Sequence, residues 1–149
     1  LKPDAFLSDF NINVMGAIKN IQAVLKNLNQ SKHSSIVLFS TVAVQTGMPF
    51  HSSIAASKGA VEGLTRSLAA ELAPKISVNA IAPSIVDTPL SDKFLNNDAK
   101  MERAIERHPL KKVGSPADIA KAAIFLLTNS SWITGQVIGI DGGIGNLKI

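Results

Sequence analysis

Three short apolar runs constrain the fold of this chain more than any other feature. Ser35-Ile36-Val37-Leu38-Phe39-Ser40 is a continuous β-branched and aromatic stretch. It is too short for a helix and reads as a strand buried on both faces, as in a parallel sheet. Ile76 to Ile81, closed by Ala82-Pro83, is a second buried strand, and Gln136 to Ile140, ended by Asp141-Gly142-Gly143, is a last short one. Helical patterns precede and separate them. Over residues 8 to 29, Val14, Ile18, Ile21, Leu25 and Leu28 recur at steps of four and three, with Ser8 as the expected N-cap. A second helix is expected from about Ser53 to Leu72, after a Gly47-Met48-Pro49-Phe50 loop. Ser115-Pro116-Ala117-Asp118 supplies a cap, a proline at the first helical position and an acidic third residue, and starts a helix through Leu127. Helices alternating with buried strands make an α/β protein built on a parallel sheet with crossover helices.

At 149 residues the chain is one domain or part of one, and 46% hydrophobic against 17% charged residues is a globular balance. The formal charge of +4 is spread without a dense Lys/Arg run, so a nucleic-acid or membrane-surface partner is not expected. Without cysteine there is no disulfide frame and no thiolate metal site, which fits a cytoplasmic setting. No apolar run reaches the ~18 residues of a membrane span, and no His/Asp/Glu grouping has metal-ligand spacing. The chain begins with Leu1 rather than Met, which suggests a start inside a longer reading frame or a trimmed one.

The second helix carries two stripes. Val61, Leu64, Leu68 and Leu72 form its core face, while Ala56, Ala60, Gly63, Ser67 and Ala70 line up as a face of small residues. Small residues admit close helix approach, either across a two-fold axis or onto the chain's own first helix. Gly59 and Gly63 each cost about 1 kcal/mol of helix propensity relative to alanine, so packing is expected to compensate.

The polar residues by themselves admit ordinary roles. Thr41 ends the first strand, where a threonine commonly bonds its own backbone. Lys58 on a helix is most simply a solvated lysine, His51 a loop histidine, and one of Ser52 and Ser53 a helix cap. Asn13 inside a helix is slightly unfavourable by propensity, which hints at a further role. Asp118 belongs to helix capping and Asp87 to loop structure, and no G-x-S-x-G elbow occurs. Residues 91 to 108, bounded by Pro89 and Pro109, form a polar, charged stretch with Phe94, Leu95, Met101 and Ile105 as its larger apolar members.

Spacing ties several of these residues together. Ile54 stands thirteen positions after Thr41 and four before Lys58, and the chain contains no tyrosine. With Asn13-Val14-Met15-Gly16, the helix from Ser57 through Leu72, Val78-Asn79-Ala80-Ile81-Ala82-Pro83, Asp87-Thr88-Pro89, Gly114 to Ala120, and Ile133-Thr134-Gly135-Gln136 through Asp141-Gly142-Gly143, this layout resembles the short-chain dehydrogenase/reductase family. The resemblance runs from about Asp9 to Gly143.

It implies a Rossmann-like, doubly wound α/β fold, of which residues 1–149 form the C-terminal portion of a single dinucleotide-binding domain. The glycine-rich pyrophosphate turn of the family and the strands around it would precede Leu1. Gly142-Gly143-Ile144-Gly145 follows the last strand and opens no helix, so it reads as a C-terminal loop. By resemblance Asn13, Thr41 and Lys58 are the catalytic candidates. Lys58, Pro83, Ser84, Val86 and Thr88 are the candidates to hold the nicotinamide end of NAD or NADP. Ser84 stands where a glycine is usual, Thr41 where a serine is usual, and Ile54 where the proton-donating tyrosine is usual. Residues 91 to 108 correspond to a lid over substrate. The family implies a small carbonyl or alcohol substrate and a homo-oligomer formed through helices 8–29 and 53–72. Two functions stay open: an NAD(P)-dependent oxidoreductase in which another residue or water replaces the tyrosine, or a catalytically silent member kept for binding or assembly.

Overall fold

The fold is described for residues 1–148 from a computed structural model. The chain opens with an unbroken helical run: α1 (Pro3–Phe10), one π turn (Asn11–Met15) and α2 (Gly16–Gln30). The expected start at Ser8 is thereby corrected. The helix begins at Pro3, where a missing N–H costs no intrahelical bond, and Ser8 lies within α1. No residue of α1 is buried, so no apolar stripe marks its start in the sequence. In the π turn the Gly16 N–H reaches back five residues to the Asn11 carbonyl.

Strands β1 (Ser34–Phe39), β2 (Ile76–Pro83) and β3 (Val137–Ile140) form one parallel sheet in the order β1-β2-β3. Ile36 lies opposite Val78, Leu38 opposite Ala80, and Ala80 opposite Val137. The ladder continues past Phe39, because the Ser40 N–H donates to the Ile81 carbonyl at 2.7 Å and the Val42 N–H to Pro83 at 3.0 Å. A short helix, α3 (Ala43–Thr46), follows this extension and was not legible as an apolar pattern. The long helix α4 (Ser52–Leu72) returns the chain to β2.

Helices cover the sheet on two faces. Ile36, Leu38, Val78 and Ala80 bury one face against Val14, Val61 and Ala69, with Ile21, Leu25 and Leu28 of α2 and Leu64, Leu68 and Leu72 of α4 packed around them. A helix from Pro116 to Thr128 packs on β1 and β2 and buries Leu126 outside that cluster. Between Leu72 and this helix lie α5 (Asp92–Leu95) and α6 (Asp98–Arg107), which makes it α7. Ser115 and Asp118 close the expected capping box at its start. Asn79, in the middle of β2, is only 1% exposed. Its amide nitrogen donates to the Ile133 carbonyl at 2.9 Å and its oxygen accepts from the Gln136 N–H at 3.1 Å, which pins the approach to β3.

The small-residue stripe of α4 divides. Ala60 joins the core, whereas Ala56, Gly63, Ser67 and Ala70 are exposed. A Cβ placed on Gly63 would meet nothing within 4 Å among the described residues. The chain's own first helix therefore leaves that face open. Among the described residues no helix is long and apolar enough to cross a membrane.

Candidate active site

A parallel sheet presents its strand ends to one side, and ligands in such folds bind outside the carboxyl ends. Thr41 follows the end of β1, and Lys58 reaches the same strand end from α4. Thr41 is half-buried, and its Oγ1 accepts from the Ala43 N–H at 3.3 Å, tying the strand end to the start of α3. Among the described residues it donates no hydrogen bond, so its hydroxyl hydrogen is free to meet a ligand. Lys58 leans from α4 onto the same strand end, where Nζ donates to the Phe39 carbonyl at 2.8 Å. Burial of the ammonium pushes its pKa below the ordinary lysine value. One bond of three is used, so two N–H groups stay open to a ligand among the described residues.

Asn13 reaches this corner from the π turn. Its amide donates to the Asp9 carbonyl at 2.9 Å and lies 3.4 Å from the Ser57 hydroxyl, next to Lys58. The Ser57 hydroxyl in turn donates to the Ile54 carbonyl at 3.0 Å. Ile54 itself sits half-buried in the first turns of α4 and brings no polar side-chain atom to the corner. His51 precedes that helix, and its Nδ1 donates to the Pro49 carbonyl at 2.7 Å.

The cofactor-binding candidates lie at and beyond the end of β2. Pro83 is the last residue of the strand and accepts from Val42, which brings the two strand ends side by side. Val86 pairs with Gly114 in an isolated parallel bridge. Thr88 caps the 3-10 turn Pro89–Ser91 in a reciprocal box with Ser91. The Ser91 hydroxyl is buried, donates to the Val86 carbonyl and accepts from the Thr88 N–H at 3.1 Å. The polar groups of the 86–91 loop thus hold one another, which shapes the loop before any ligand arrives. Asp118 keeps its capping role: hydrogen bonds from the Ser115 N–H and hydroxyl hold its carboxyl below the ordinary aspartate range.

Two contacts at this edge have no counterpart in local sequence patterns. The buried Ser40 hydroxyl donates to Glu62 Oε1 at 2.7 Å, and Glu62 also pairs with Arg66 at 3.3 Å, fastening α4 to the end of β1. His108, only 3% exposed, brings Nε2 within 2.8 Å of Ser84 Oγ, while its Nδ1 lies 2.6 Å from the Ala104 carbonyl. Ser84 was visible as a departure from glycine, but nothing local points to a histidine twenty-four residues on. Ser84 and His108 border a cavity of about 230 Å³ whose lining includes neither Thr41 nor Lys58.

This combination, a parallel α/β sheet with lysine, threonine and asparagine gathered at its carboxyl edge, defines a Rossmann-like class of protein. Within that class the family is plain. The model described as Enoyl-(Acyl carrier protein) reductase matches residues 1–145, and the chain belongs to the short-chain dehydrogenase/reductase family. It is 38% identical over 146 residues to the 3-oxoacyl-[acyl-carrier-protein] reductase FabG of Thermotoga maritima, covering 97% of this chain and 58% of that protein. It is 37% identical over 139 residues to the inactive 2-(S)-hydroxypropyl-CoM dehydrogenase 2 of Xanthobacter autotrophicus, covering 89% of this chain and 60% of that one. Among solved structures, the gluconate 5-dehydrogenase of Burkholderia cenocepacia, in complex with NADP and tartrate, superposes with a TM-score of 0.91 at 28% identity. That match covers 99% of this chain and 59% of the dehydrogenase. The chain thus spans somewhat over half the length of these relatives.

Proposed function

We propose that the protein is an NAD(P)-dependent oxidoreductase that handles a small carbonyl or alcohol substrate and turns it over poorly. The observation that carries this reading is Lys58, held to the Phe39 carbonyl beside Thr41 and one helical turn from Ile54. The residues present fit the nicotinamide-ribose end of the cofactor. Two open N–H groups on Lys58 suit ribose hydroxyls, and the prearranged 86–91 loop suits a carboxamide at Val86 and Thr88. Pro83 and Ser84 would border the ring, and Asn13 would steady the Lys58 turn through Ser57. The glycines at 142 and 143 pack on His108 and Pro109 rather than opening a helix, so they offer no pyrophosphate cradle. A bound nicotinamide supplies or accepts hydride. The protein's own part is to orient the carbonyl, with Thr41 donating a hydrogen bond to its oxygen, and to deliver a proton there. Ile54 cannot deliver it, and loss of such a group costs about 10²–10⁴ in rate.

The test is turnover of NADH and NADPH with a panel of ketones and 3-oxoacyl thioesters by the full-length protein. Slow oxidation is expected. Ordinary enzymatic rates that survive replacement of His51 by alanine would contradict it. A second reading, a silent member kept for binding or assembly, is favoured by Ile54 itself and by the likeness to a relative described as inactive. The two readings share a cytoplasmic setting and a homo-oligomer built on α1, α2 and α4, supported by the open stripe at Ala56, Gly63, Ser67 and Ala70. Gly63→Leu is expected to shift the assembly toward monomer in sedimentation while the fold persists. A wild type that is monomeric at micromolar concentration removes the oligomer.

A further inference from the structure

We infer that Ser84 and His108 form a nucleophile-base pair able to attack small carboxylic esters, at a cavity whose lining includes neither Thr41 nor Lys58. Two hydrogen bonds define it. The Ala104 carbonyl can only accept, so in the neutral ring Nδ1 carries the hydrogen and Nε2 presents a lone pair. Ser84 Oγ, 2.8 Å away, then donates to Nε2 and makes no other side-chain hydrogen bond among the described residues. Nucleophile, base and a third group that orients the base are the geometry nucleophilic catalysis requires, here with a backbone carbonyl in the orienting place. The ring is clamped as well, because a Cβ on Gly142 would come within 3.2 Å of His108 Cδ2, so only a glycine lets the backbone lie that close.

The surroundings suit an acyl group. The cavity of about 230 Å³ beside the pair has apolar walls from Ile85, Leu110, Ile119 and Ile140, room for a short acyl chain but not a large ligand. Ile85 is the residue after the nucleophile, and its backbone N–H donates no hydrogen bond among the described residues. Such an N–H is a common donor to the oxyanion of an acyl-transfer intermediate. In the step, Ser84 Oγ bonds the ester carbonyl carbon and its proton passes to His108 Nε2. The alcohol leaves with that proton, and water then hydrolyses the acyl-serine through the same base.

Diisopropyl fluorophosphate tests the pair in the full-length protein without any nicotinamide: Ser84 Oγ bonds phosphorus, the P–F bond breaks, and fluoride leaves. Peptide mass spectrometry is expected to find the adduct on Ser84, forming about 100-fold faster than on any other serine, since loss of a positioned base costs 10²–10⁴. His108→Gln should slow labelling by a similar factor and Ser84→Gly should abolish it, with circular dichroism confirming that both fold. Absence of adduct at Ser84 in the folded wild type, or labelling no faster than at other serines, overturns the inference. So does an unchanged rate in a folded His108→Gln protein. Should that variant unfold, the wild-type comparison among serines decides alone.

Discussion

β1 and β2 end side by side, yet their last residues have gone opposite ways. At the end of β1, Lys58 is seated on the Phe39 carbonyl and Thr41 donates no hydrogen bond among the described residues, while Ile54 brings no polar side-chain atom. At the end of β2 the Ser84 hydroxyl is already engaged with the buried His108 imidazole. What a strand end can do depends on the pairs its side chains make, and those pairs come from elements far apart in sequence.

The largest effect that would sharpen this contrast is at β1. Ile54→Tyr returns a phenol one helical turn before Lys58, and a gain of about 10²-fold in ketone reduction is expected in the full-length protein. The larger ring risks overpacking by about 1–3 kcal/mol, so folding is checked first. A folded, cofactor-binding variant with no gain would show that the missing acid does not belong at position 54. A smaller effect separates the two ends by stability. His108→Ala removes a buried ring together with its hydrogen bonds to the Ala104 carbonyl and the Ser84 hydroxyl, and should cost about 2–3 kcal/mol in urea unfolding. Thr41→Val, which loses a half-exposed acceptor for Ala43, should cost about 1 kcal/mol or less. Equal costs would break the comparison.

The smallest effect is a pH dependence at Lys58. Its pKa is lowered by burial from an ordinary 10.5, so between its folded value and 10.5 the unfolded chain binds more protons than the native one. Stability from this group therefore rises with pH across that window, and below it the buried charge is a cost. Wild type measured against Lys58→Met should gain in relative stability as pH climbs toward 10.5. A flat difference would place the ammonium in full solvent contact.

The sheet was legible because buried strands carry dense apolar runs: residues 35–40 and 76–81 are strand in the structure to within two residues. The start of the first helix was not, since α1 buries nothing and begins at Pro3 without a side-chain cap. The π turn at Asn11–Met15 inserts an extra residue into the helical ladder, and Ala17 rather than the expected Ile18 packs on the core, while Asn13 stood out only by its poor propensity. Lys58, Thr41, Pro83 and the 86–88 segment stood out only through the family resemblance, whereas their strand-end setting follows from the parallel sheet. The Ser84–His108 and Ser40–Glu62 bonds join residues twenty-four and twenty-two positions apart with no periodic relation, and only the packed chain brings them together.

The central claim is that the end of β1 keeps a cofactor seat after losing its acid. Titration of NADPH and NADH into the full-length protein, followed by nicotinamide fluorescence, tests it most directly. The account predicts saturable binding of one of the two, weakened at least about tenfold by Lys58→Ala, since a hydrogen bond from a charged donor is worth roughly 1.5–3 kcal/mol, and unchanged by Ile54→Tyr. No binding of either dinucleotide, or binding that ignores Lys58→Ala, would contradict it.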